Sequence, residues 1–72
     1  MKASRKCVLV QRLAESYMLQ GRKAEALSVL RRNADSYRNE SNALTQRNPR
    51  RSANLAFDSV ALTNLADLYE VK

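Results

Sequence analysis

The sequence predicts an all-α protein, an antiparallel helical hairpin followed by a third helix. Three observations point there. Helix formers dominate, while glycine and proline occur once each in 72 residues. Apolar residues recur at alternating intervals of three and four. No stretch sustains the period-two alternation of a half-buried strand.

The first helix is expected over residues 4–20. Val10, Leu13, Ala14, Tyr17 and Met18 fall on one side of it, and Ser4 has the side chain of an N-cap. Gly21 closes the helix, because glycine enters the left-handed conformation without steric cost. The second helix begins at once and is expected over residues 22–45. Its stripe is Leu27, Leu30, Ala34, Tyr37, Ser41 and Leu44. The stretch "TQRNPRR" then interrupts the pattern. Asn48 can cap the next helix, and Pro49 suits a first helical position, where its missing N–H costs nothing. The third helix, over residues 50–71, carries Leu55, Ala56, Val60, Leu62, Leu65, Ala66 and Tyr69.

A glycine with almost no spacer between two amphipathic helices makes a tight antiparallel hairpin. The small residues Ala14 and Ala26 let the helices approach closely. Leu13, Tyr17, Leu27 and Leu30 are expected to fill the seam.

The length suits one small domain spanning residues 1–72, near the lower limit for a self-sufficient core. The net charge of +6 is unevenly spread. Residues 1–51 hold twelve Lys or Arg against Glu15, Glu25, Asp35 and Glu40, giving +8. Residues 52–72 hold Lys72 against Asp58, Asp67 and Glu70, giving −2. Such a distribution favours acidic partners for the first part of the chain.

Several chemistries are excluded by what is missing. Histidine is absent and Cys7 is the one cysteine, so neither an internal disulfide nor a thiolate metal cage can form. Cys7 is expected to pack as a small apolar residue. With no Gly-rich loop and no evident carboxylate pair, an enzyme is not expected, nor a cofactor. Asp67 and Glu70 share a helix face as a solvated pair. No apolar run reaches the roughly 18 residues of a membrane span. The opening "MKASRKCVLVQRLAE" is basic and then apolar, yet Arg12 and Glu15 interrupt it too early for a signal peptide. A cytoplasmic location is expected.

The stretch "LAESYMLQGRKAEAL" resembles the tetratricopeptide repeat. Leu13, Ala14, Tyr17, Gly21 and Ala26 stand at the family's characteristic positions, with Leu30 at a later large apolar one. In "ALTNLADLYEVK" the pattern restarts, with Leu65, Ala66 and Tyr69 at the same internal spacing. The chain thus reads as one full repeat plus the first helix of a second. Lys23 and Asn33 depart from the family's usual aromatic and alanine. The two tyrosines are 52 residues apart, against about 34 in the standard repeat, which requires an extended second helix or an insertion over residues 38–50. A second resemblance is to the microtubule-interacting and trafficking domain, a three-helix bundle of similar size with a comparable "EAL" opening its second helix. It accounts for a long second helix but not for the repeated Leu-Ala-x-x-Tyr.

The repeat resemblance implies a protein-interaction module, a scaffold or adaptor whose groove takes a peptide or helix of a partner. By matching position the groove residues are Arg12, Ser16 and Gln20 from the first copy, with Asn64 and Leu68 from the second. Arg5, Lys6 and Arg12 would draw acidic peptides or a terminal carboxylate. A rival reading is nucleic-acid binding through Arg31, Arg32 and Arg38 on the second helix and Arg47, Arg50 and Arg51 at the turn. Scarce aromatics count against it, with Tyr17 and Tyr37 assigned to the core.

Leu62, Leu65, Leu68 and Tyr69 span more than one side of the third helix and cannot all face the hairpin. The repeat reading therefore expects exposed apolar surface, with self-association or a second chain covering it. The trafficking-domain reading expects a monomer whose third helix closes the bundle.

Overall fold

The computed structural model describes residues 4–72, which form three helices: α1 (Arg5–Leu19), α2 (Lys23–Leu44) and α3 (Pro49–Glu70). No strand occurs among the described residues. The bounds lie within one residue of those read from the sequence. The second helix is extended, and no inserted loop interrupts it.

Local chemistry sets each end. Ser4 takes an extended conformation, and its Oγ accepts from the Cys7 N–H at 3.1 Å, capping α1. At the other end Gly21 has φ of 74°. The Arg22 N–H returns to the Tyr17 carbonyl at 2.8 Å, and the Gly21 N–H to that of Met18 at 3.1 Å. These paired bonds are the Schellman arrangement, which satisfies carbonyls the helix would leave open. The Arg22 guanidinium lies 5.0 Å from the Tyr17 ring centre, where an apolar contact commonly accompanies this motif. Asn48 accepts from the Arg51 N–H at 3.2 Å, and Pro49 opens α3.

The buried core is Cys7 and Ala14 from α1, Ala26, Leu30, Ala34 and Tyr37 from α2, and Leu62, Ala66 and Tyr69 from α3. Four alanines among nine residues let the helix axes approach closely. α3 lies antiparallel along the whole of α2: Ser41 meets Ser52, Ala34 meets Ser59 and Lys23 meets Glu70. α1 is shorter. It packs on α2 as far as Tyr37 and meets α3 only lightly. The last turns of α2 and the first of α3 continue past it, giving dimensions of 41 × 17 × 14 Å.

Two details differ from expectation. Leu13 is 46% exposed instead of filling the seam. The inward positions of α1 are Cys7, Ala14 and, partly, Val10, Tyr17 and Met18; Leu13, one residue before Ala14, is rotated about 100° from it. Asp67 and Glu70 are also not simply solvated, because both bind Arg31 of α2. The division within α3 is as expected: Leu62 and Tyr69 are buried, Leu65 partly so, and Leu68 is half exposed.

Candidate interaction surface

On α1 the core-facing side fixes what remains outside. Arg5, Leu9, Arg12, Ser16 and Gln20 recur at steps of three and four and are all exposed. The side away from the core is therefore one continuous strip. Its leucine is 63% exposed between two arginines. Gln20 donates to Ser16 Oγ at 3.2 Å, which ties down its far end. Four of the expected partner-binding residues thus share one face.

Lys6 does not join them. Its ammonium lies 6.0 Å from the Tyr37 ring centre. Together with Ser4, Glu40, Arg51, Asn54 and Asp58 it lines a cleft of about 300 Å³ below the start of α1. Asn64 and Leu68 are exposed on α3, on a helix that α1 barely touches. The same side of α3 exposes Phe57, Val60 and Val71. The sequence signal for this second apolar side is present, since α3 carries apolar residues at both helical phases.

Asp58 does not stand out in the sequence. It is 3% exposed, and its Oδ1 accepts from the Ser4 N–H at 3.3 Å. A carboxylate at a helix N-terminus is favoured by the dipole, so Asp58 anchors the start of α1 to α3. Around it, burial pushes the Cys7 thiol up from its ordinary value of 9.0, with Asp58 adding to the effect. Burial likewise raises Tyr37, followed by Cys7 and Asp58. Both groups therefore hold their protons at neutral pH. The Tyr37 hydroxyl is buried without a hydrogen-bond partner among the described residues.

The arginines of α2 and its turn do not form one patch. Arg31 bridges to Asp67 and Glu70, and Arg51 reaches Glu40 at 3.7 Å. Arg32, Arg38, Arg47 and Arg50 are exposed with no described acid within bridging distance. From Arg31 to the end of α2 is about 20 Å at 1.5 Å per residue, so the cations are strung along the molecule. Among the described residues no group of His, Cys, Asp and Glu could hold a metal ion. No helix among them is long and apolar enough to cross a membrane. No family model matches the chain, and no characterised protein or solved structure resembles it closely enough to count as a match.

Proposed function

We propose that the protein is a helical-hairpin interaction module of tetratricopeptide-repeat type, a small adaptor that binds an acidic amphipathic segment of a partner protein through the outer face of α1. The observation that carries this reading is the α1 strip itself. Arg5 and Arg12 flank an exposed Leu9, with Leu13 at the edge and Ser16 and Gln20 beyond. A partner helix bearing leucines and carboxylates at matching spacing would bury the aliphatic groups and pair the guanidinium groups. The light contact between α1 and α3 favours an open repeat over a closed trafficking-domain bundle.

Selection from a displayed peptide library against the full chain tests the reading. Enriched peptides should combine acidic and aliphatic residues at helical spacing. Their binding should weaken about tenfold or more in Leu9→Ser and in Arg12→Gln, a loss of about 1.4 kcal/mol. Enrichment of basic peptides, or binding indifferent to both substitutions, overturns it.

Nucleic-acid binding is the second reading, supported by the exposed cations Arg32, Arg38, Arg47 and Arg50. Arg31 and Arg51 are already engaged with acids, which weakens it.

A further inference from the structure

We propose that the outer stripe of α3 is a self-association surface, on which a second copy of this chain packs its own α3 in antiparallel orientation. The inference rests on α3 alone and stands whether or not α1 binds a peptide.

Ala53, Phe57, Val60, Asn64, Leu68 and Val71 follow one another at steps of three and four, and all are exposed. The stripe runs about 27 Å along the helix. No charged residue interrupts it, although 28% of the chain is charged. The reason is visible in the packing, because the charges of α3 other than Arg50 at its start engage the other helices. Asp67 and Glu70 meet Arg31, Arg51 meets Glu40, and Asp58 is buried against the start of α1. A helix whose carboxylates are buried or paired with a neighbouring helix while its aliphatic groups face outward leaves an apolar surface to be covered.

Charge selects the occupant. The chain carries +6, so two copies repel wherever arginines face outward. The α3 stripe is where they can meet without that cost. An acidic partner finds no cation between Ala53 and Val71, Arg50 lying one step before the stripe begins. A second copy brings an identical apolar stripe, which makes a closed two-fold pair.

Charge also selects the orientation. A parallel pair would set two copies of the Arg47, Arg50 and Arg51 turn side by side. The antiparallel pair separates the turns by about the length of α3, far beyond a Debye length of roughly 8 Å at physiological salt. Each turn then lies near the Asp67 and Glu70 end of the other copy. With Ala53 opposite Leu68 and Phe57 opposite Asn64, large residues meet small ones, and Val60 lies next to the two-fold axis. A single helix pair is a small interface, so the dimer forms in the micromolar range or above.

Sedimentation of the full chain over about 10 µM to 1 mM should show the mass rising from 8.2 kDa toward twice that value. Val60→Lys and Leu68→Lys, both at exposed positions, should keep the helicity and remain monomeric. Leu9→Lys on α1 should dimerise like the parent. Under mild oxidation Val60→Cys should form a disulfide-linked dimer, whereas Leu9→Cys should not. A parent that stays monomeric at the highest concentration overturns the proposal, as does a dimer that survives Val60→Lys or one cross-linked through position 9.

Discussion

Gly21 holds a conformation that other residues adopt only under strain, with φ of 74°. A Cβ added there meets nothing within 4 Å. The cost of a side chain at this position is thus conformational and not steric. Gly21→Ala should lower stability by about 1 kcal/mol, and Gly21→Asn by less, because asparagine tolerates the left-handed region. Urea denaturation measures both; an unchanged or raised midpoint for the alanine variant would contradict this account of the turn. Such residues are legible in the sequence because they act on their immediate neighbours: Gly21, Ser4 and Asn48 each bond within about a helical turn. Asp58 is not legible, since the N–H it accepts belongs to a residue 54 positions away. Leu13 misleads for a different reason. One apolar stripe allows a choice of inward direction about a residue wide, and on α1 the close packing of Cys7 and Ala14 decides it.

Between α2 and α3 the packing depends on small polar residues as much as on apolar ones. Ser41 Oγ donates to the Ser52 carbonyl at 2.7 Å, and Ser52 Oγ to the Ser41 carbonyl at 2.8 Å. The hydroxyls are 3.0 Å apart, and Thr45 joins them at 3.3 Å. Further along, Ser59 donates to the Ala34 carbonyl at 2.8 Å. These bonds satisfy the buried hydroxyls while keeping the helices close. Ser52→Ala should cost about 1 kcal/mol through the missing hydrogen bonds, whereas Ser52→Leu should cost more by forcing the helices apart. Thermal unfolding of the two variants separates these effects; equal losses would show that the seam tolerates volume. The stripe of α2 is readable position by position, with Ser41 included, because a single helix period governs it. On α3 the period is just as clear but serves two sides at once, and sequence alone does not assign them.

The molecule as a whole divides its charge unevenly, and the turn between α2 and α3 gathers three arginines within five residues. Changing Arg47, Arg50 and Arg51 together to Gln should leave helicity nearly unaltered, since all three are exposed. If that turn binds phosphate, the salt slope of duplex DNA binding falls by about one unit for each arginine–phosphate pair removed. A slope equal to the parent's removes the turn from the nucleic-acid reading. Circular dichroism and binding titrations at several salt concentrations supply both measurements.

The light contact between α1 and α3 bears on how the molecule assembles in time. Packing is almost entirely between helices adjacent in the chain, so few distant segments must find one another, and folding of such topologies takes microseconds to milliseconds. The α2–α3 pair, in contact over its full length, is the natural nucleus, and α1 docks on it afterwards. The same order runs backwards in the native state. α1 can leave while the longer pair persists, and its departure uncovers Cys7, which is 0% exposed when docked. The rate at which a thiol reagent labels Cys7 under native conditions therefore follows the detachment of a single helix, separately from the unfolding of the rest.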